Sequence, residues 1–236
     1  MRSWIDFWNA DHSIYVNERH KQLHAEAVAR DIARHIASTT AVVLDHGCGE
    51  AFYAEDIARR CGRLILCDAA PKVCAALAER MAGARNVEVI EPIGVTQLAD
   101  ASLDLVVVNS VVQYLSRKDL EDLLDLWRAK LKPDGRLMIA DVIPPGVNPL
   151  RDAAALLMFA TRGGFLVPAF TGLVRTALSD YGKIRKSLGF AMYGEHEFIE
   201  ILSRHGLAAT RVHPNFGHNQ ARMTFSARRS APPASP

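Results

Sequence analysis

An apolar run, Val42-Val43-Leu44, breaks into Asp45-His46-Gly47-Cys48-Gly49-Glu50-Ala51, and a helix-forming stretch opens at Glu55. A buried strand, a tight glycine turn and a helix whose N-terminus faces that turn make a nucleotide-binding unit. Asp45, Gly47, Cys48 and Gly49 are thus the first candidate binding residues. A dinucleotide pyrophosphate calls for G-x-G-x-x-G, whereas Gly49 is followed by Glu50, Ala51 and Phe52, so the spacing disfavours an NAD-dependent dehydrogenase. The next apolar run, RLILCD, ends in Asp68 with Ala69 behind it. An acid about 20 residues beyond a glycine loop can accept hydrogen bonds from both ribose hydroxyls, and Asp68 has that spacing.

Positioning these residues takes alternating strands and helices. NVEVI (86–90), SLDLVVVN (102–109) and RLMIADVI (136–143) are further short apolar runs. APKVCAALAERM and LEDLLDLWRAKL, between them, repeat apolar residues at helical spacing. The alternation predicts a parallel sheet, and open α/β sheets bind ligands beyond the C-terminal ends of their strands. Asn109 and Ser110 leave the fourth strand at that edge, and Asp141 ends the fifth nearby. Gln113 and Tyr114 follow closely enough to reach a second ligand. Lys132-Pro133-Asp134-Gly135 is a turn by composition.

The chain has 236 residues, 49% of them hydrophobic, and a formal net charge of +2. That describes one α/β domain with an insertion and offers no field that argues for nucleic acid. Cys48, Cys61, Cys67 and Cys74 lack paired C-x-x-C spacing, so reduced thiols, a cytoplasmic location and no metal are expected. MRSWIDFWNADHS lacks the apolar core and cleavage site of a signal peptide, and no apolar run is long enough to span a bilayer. Trp4, Phe7 and Trp8 at helical spacing predict an aromatic stripe against the domain or a partner chain. Residues 14–36 read as one or two helices with Leu23, Ala27, Val28, Ile32 and Ile36 on one face.

Five segments result: N-terminal helices (1–40) that cover the site, a binding core (41–143), an apolar helical insertion (144–194), the end of the sheet (195–229) and a disordered tail (230–236). The insertion is read first as a lid over an apolar acceptor, with Phe165 and Phe170 as its wall and glycines 163, 164 and 172 as breaks. Homodimer packing stays open, as does contact of Arg175, Lys183, Arg185 and Lys186 with an anionic membrane surface. EHEFIEILSRHG is a helix capped by Gly206, and RVHP and ARMTFSARR are the last two strands.

D-H-G-C-G-E-A resembles motif I of the class I S-adenosylmethionine (SAM) methyltransferases, D-x-G-C-G-x-G, with Ala51 at the third glycine. LDLV with a polar exit, followed by L-K-P-D-G-R-L, is similar to the same family's later segments. The resemblance implies a Rossmann-like α/β fold: a seven-stranded, mostly parallel sheet with an antiparallel last strand, a sixth strand parallel to its neighbours, and helices on both faces. It implies SAM as cofactor, with Tyr15 near the adenosine or methionine and Arg19 near the carboxylate. Relatives place D-A-x-x-L-P after the third strand; here Gly94-Val95 stands at that point, so only backbone groups of Gly94 and Val95 are left to face the adenine.

The N/D-P-P-Y/F of nucleic-acid amino-methyltransferases is replaced by Asn109-Ser110-Val111-Val112. A small-molecule acceptor follows, apolar or lipid-like, methylated first at oxygen, with nitrogen and carbon open. The loop 215–219 returns to the ligand edge in this fold, which makes His218 a candidate general base, with Asn219 beside it. Asp141 is the alternative base, and Tyr114 a third candidate catalytic residue. His46 is expected to hydrogen-bond behind the loop, His205 to pair at a helix end, and His35 and His196 to lie on the surface. Ala51 and Gly94 also motivate a rival, a SAM-binding protein without turnover.

Overall fold

Five of the apolar runs become the parallel strands of one sheet in the computed structural model, which describes residues 15–52, 54–178 and 189–230. The stripe of Trp4, Phe7 and Trp8, the side chain of Arg175, Lys183, Arg185 and Lys186, and residues 231–236 of the tail lie outside the described set. The strands are β1 (Val42–His46), β2 (Arg63–Cys67), β3 (Val87–Ile90), β4 (Leu103–Asn109), β5 (Leu131–Val142), β6 (Leu207–Val212) and β7 (Met223–Arg229), in the order β3-β2-β1-β4-β5-β7-β6. β7 runs antiparallel to both β5 and β6. The sixth strand therefore has only an antiparallel neighbour, because β7 inserts between it and β5.

The helices are α1 (Glu18–Ala33), α2 (Ala54–Ala58), α3 (Pro71–Met81), α4 (Pro92–Gln97), α5 (Arg117–Lys130), α6 (Pro149–Gly163), α7 (Leu166–Leu178) and α8 (Glu195–Arg204). Successive side chains of a strand point to opposite faces, so each run feeds two cores. Leu44, Ile65, Val106, Val108 and Ile139 pack with Leu120, Leu124 and Trp127 of α5 and Phe198 of α8. Val43, Leu64, Leu66, Val107 and Met138 pack with Ile32 of α1, Ile57 of α2 and Leu77 of α3. Covering both faces is why the strands read as unbroken apolar runs rather than as alternation.

Three boundaries differ from the sequence reading. β5 begins at Leu131, not Arg136: Leu103 pairs with Leu131 and Leu105 with Arg136, so Lys132–Gly135 is a bulge inside the strand. Lys132 Nζ holds it by bonding Asp104 at 2.8 Å, while Asp104 Oδ2 accepts the Val42 N–H, also at 2.8 Å. Gly94 and Val95 lie in α4, where Pro92 opens the first turn. β6 starts at Leu207, since the left-handed Gly206 (φ +66°) ends α8 abruptly, and it stops at Val212 before His213-Pro214.

The insertion supplies the helical hairpin α6–α7, turned by the left-handed Gly164. Its small core of Ala160, Phe165 and Ala169 takes in Val16 and Leu23 from the start of the chain. Phe165 is buried there, whereas Phe170 is 64% exposed.

Candidate functional site

Motif I folds into a loop pinned at both ends. Gly47 and Cys48 donate their N–H groups to the Cys67 carbonyl at 2.7 and 3.0 Å. Gly47 sits at φ +76°, and a Cβ there would lie 2.3 Å from Val111 Cγ2. Asp68 bridges two segments: its Oδ2 accepts the Gly49 N–H and its Oδ1 the Ala70 N–H, each at 2.9 Å. Ala69 between them is exposed. Ala51 keeps the loop's path by adopting φ +38°, and its carbonyl accepts from Arg80 Nη2 at 2.7 Å. A left-handed residue with a Cβ costs about 1–2 kcal/mol, partly offset by the greater chain entropy of glycine. Ala51→Gly is therefore expected to stabilise the protein by up to about 1 kcal/mol, read as a higher denaturation midpoint; a lower midpoint would refute the strain.

Behind the loop, Trp127 Nε1 donates to His46 Nδ1 at 3.3 Å. Asp45 is buried and its carboxyl is pushed up to about 7, first by burial and then by Asp68. Burial and then Asp45 push the Cys48 thiol well up, and all four cysteines are free. At α4, the Gly94 N–H is spent on the Glu91 carbonyl at 2.8 Å, and Val95 is wholly buried in the core.

On α1 the inward face carries histidines rather than arginine. Tyr15 meets His20 and His24 at ring distances of 5.3 and 5.8 Å. Its phenol is pushed up to about 12 by burial and then by Glu50. Arg19 is exposed and turns toward the insertion, Nε donating to the Gly163 carbonyl at 3.4 Å.

A cavity of about 130 Å³ opens at the ends of β4 and β5, lined by His24, Asn109, Ser110, Asp141, Phe216, His218, Asn219 and Arg222. Ser110 and Asp141, both left-handed (φ +58° and +62°), are joined by a 2.8 Å bond from Ser110 Oγ to Asp141 Oδ2. Burial raises the Asp141 carboxyl against the opposing pull of Arg222 and Ser110. His218 stacks face to face on Phe159 of α6, ring centres 4.6 Å apart, and burial lowers its basicity. Asp152 of α6 holds the same loop, accepting from Asn219 Nδ2 at 2.9 Å and from Arg222 Nη2 at 2.8 Å.

The structure thus brings Asn109, Ser110, Asp141, His218 and Asn219 together and sets Tyr114 apart from the cavity lining, its ring against Phe190 at 5.6 Å. Gln113 is buried, and its backbone carbonyl accepts the Ala191 N–H at 3.0 Å. His205 bonds Asp125 at 2.8 Å and His196 is exposed, as expected. His35 is not a free surface residue: it stacks on Phe216, with ring centres 5.5 Å apart. Sequence reasoning missed His24, Phe216, Arg222 and Asp152. The His20–His24 spacing of one helical turn was the available signal for the first; nothing local marks the others.

Residues 43–135 match the family model of a methyltransferase domain. That match spans well under half of the chain, and the wider likeness is one of fold. Among similar solved structures, the SAH complex of DhpI has a TM-score of 0.61 at 16% identity, covering 97% of this chain and 96% of that one. Magnesium protoporphyrin IX methyltransferase (ChlM) from Synechocystis PCC 6803, with bound SAH, has a TM-score of 0.58 at 15% identity, covering 95% and 92%. The YcgJ protein of Bacillus subtilis has a TM-score of 0.60 at 13% identity, covering 88% and 100%. A search of curated proteins found no match.

Two of these similar structures hold SAH, and the residues at the corresponding strand ends of this chain suit a nucleoside-bearing donor such as SAM. Asn109 Oδ1 is buried with no hydrogen-bond partner at the strand end beside the loop, an orphan acceptor that an ammonium donor would satisfy. A Cβ at Gly49 would meet nothing within 4 Å, and Asp68 holds the Gly49 and Ala70 N–H groups beside that open space. No helix among the described residues is long and apolar enough to cross a membrane, and none of their His, Cys, Asp and Glu clusters could hold a metal.

The histidines give the fold a pH dependence. Burial lowers His20 to about 4 and His24 to about 3, with neighbouring imidazoles adding to both, and burial lowers His46 to about 4. Neutral in the fold but of ordinary basicity when unfolded, they contribute stability that is full above about pH 6.5 and is lost as pH falls toward 4. Asp45 and Asp141, with raised carboxyls, act oppositely, becoming less costly as pH falls. With His35 and His218 also lowered, the imidazoles outnumber the two carboxyls. The thermal midpoint is expected to fall between pH 6.5 and 4.5, and His24→Leu to flatten that slope. A midpoint that rises through this range would contradict the assignment.

Proposed function

We propose that the protein is a SAM-dependent methyltransferase that methylates an oxygen of a small acceptor with an apolar or lipid-like body. Tyr15, Asp45, Gly47, Cys48, Gly49, Asp68, Ala69, Asn109 and Ser110 form the donor side, and Gly94 and Val95 back it through the body of α4. The observation that carries the reading is the cavity beside Asn109 and Ser110, walled on one side by the rings of His24, Phe216 and His218.

Aligning an acceptor atom with the donor's methyl group supplies much of the rate in a direct displacement. His218 and Asp141 line the cavity, which supports reading them as the groups that touch the acceptor; Tyr114 belongs to a second rank behind them. Arg19, turned outward, guides the closure of α1 on the insertion rather than the cofactor carboxylate. The protein is read as acting on a free small molecule in the cytoplasm, with no nucleic-acid partner; the exposed side of α6–α7 suits a homodimer or a membrane surface.

The test is incubation of the enzyme with methyl-labelled SAM and a metabolite extract. Label in a small apolar product as an O-methyl group supports the reading; label on nitrogen, carbon or macromolecule only refutes it. With that product's precursor in hand, His218→Asn should lower kcat/KM about tenfold, the scale of one lost hydrogen bond to a reacting group, and leave SAM affinity unchanged. An unaltered kcat/KM would remove His218 from the site.

A further inference from the structure

Arg222 is 9% exposed and lies on the wall of the acceptor cavity. Its Nη2 is committed to Asp152, yet its Nε and Nη1 are buried without a hydrogen-bond partner. A buried guanidinium left with unpaired donors is costly, and such an arrangement is retained where a ligand supplies the acceptors. His24 and His218 face the same space, each with a buried Nδ1 lacking a partner. Resting on the methyltransferase reading above, we propose that the acceptor is a carboxylic acid, anchored as its carboxylate by Arg222 and released as a methyl ester.

The charges around the cavity are consistent with an anion. Asp152 accounts for only one face of the guanidinium, at 2.8 Å. Asp141 is tied to the Ser110 hydroxyl, and burial raises its carboxyl above the ordinary range. The imidazoles are held neutral by burial. Groups so weakly basic are poorly suited to take a proton from an alcohol, whereas a carboxylate reaches the site already ionised. In the step itself, a lone pair of the carboxylate oxygen forms the new O–CH3 bond while the S–CH3 bond breaks and its electron pair stays on sulfur. No proton moves, and the products are the neutral ester and S-adenosylhomocysteine. Phe216 and His218, the latter stacked on Phe159 behind it, line the cavity and offer ring surface for the apolar remainder.

The experiment compares three probes of one shape, benzoate, benzyl alcohol and benzylamine, titrated into full-length protein saturated with S-adenosylhomocysteine. Benzoate is expected to bind at least tenfold more tightly than the other two. That preference should vanish in Arg222→Gln and be only partly kept in Arg222→Lys, which retains the charge but not the planar fork. Equal binding of the three, or preference for the alcohol or the amine, overturns the proposal on wild-type protein alone, whether or not the variants fold. Saturation by S-adenosylhomocysteine is measured first: its failure would count against the methyltransferase reading, whereas its success with no benzoate preference would count only against the carboxylate.

Discussion

Asp68→Ala is expected to weaken SAM binding about 10- to 100-fold while the protein stays folded, the scale of losing a charged hydrogen-bond partner in a largely enclosed site. Two losses combine. The proposed acceptor of the ribose hydroxyls is removed, and the Gly49 and Ala70 N–H groups, each 2.9 Å from the carboxylate, lose theirs. Asp68→Asn keeps one oxygen and should fall between the wild type and Ala. Because Asp68 also raises its buried neighbour Asp45, either change should ease ionisation of Asp45. Calorimetric titration decides the matter: SAM affinity within a factor of two of wild type, in a variant with unchanged thermal melting, would remove Asp68 from the donor site.

Gly47→Ala should have the largest effect on stability, about 2–4 kcal/mol, or a midpoint lower by roughly 5–10 °C. A residue with a Cβ at φ +76° is strained, and the added carbon would sit 2.3 Å from Val111 Cγ2, well inside contact distance. Val111 cannot retreat freely, since it packs against the core between the sheet and α5. The paired change Gly47→Ala with Val111→Ala separates the causes: it should recover the steric part and leave the backbone part. A single variant melting like the wild type would show that the loop has room to spare.

The proposed donor half of the site was legible in the sequence as a fold because its signals are local. Val42–Ala51 and Asp68 announce a strand, a turn and a strand-end acid by residue type and spacing, and the structure places them so. The acceptor half was not, because its parts come from distant chain segments. Arg222 reads as one more basic residue before a strand, and only folding sets it beside Asp152, seventy residues earlier on a helix. Arg19 looked more chemical than His24, yet the turn of α1 sends arginine outward and imidazole in. The Lys132–Gly135 turn was correct in composition but is a bulge within a strand, since Lys132 finds Asp104 on β4. The helix α4 was hidden by Gly94, a residue that weakens helices in isolation and is tolerated in one short turn after Pro92.

The small cluster of Ala160, Phe165 and Ala169 stands apart from the two cores that flank the sheet. So little buried apolar surface ties α6 and α7 to the rest that their local opening lies far below global unfolding in free energy. Opening would part Asp152 from Asn219 and Arg222 and withdraw Phe159 from His218, dismantling one wall of the cavity. The loop at Gly47 and its tie to Asp68 belong to the sheet and would stay intact. On the proposed reading, the consequence is an ordered exchange, in which a product departs through a brief breach in the hairpin while the spent donor is still held.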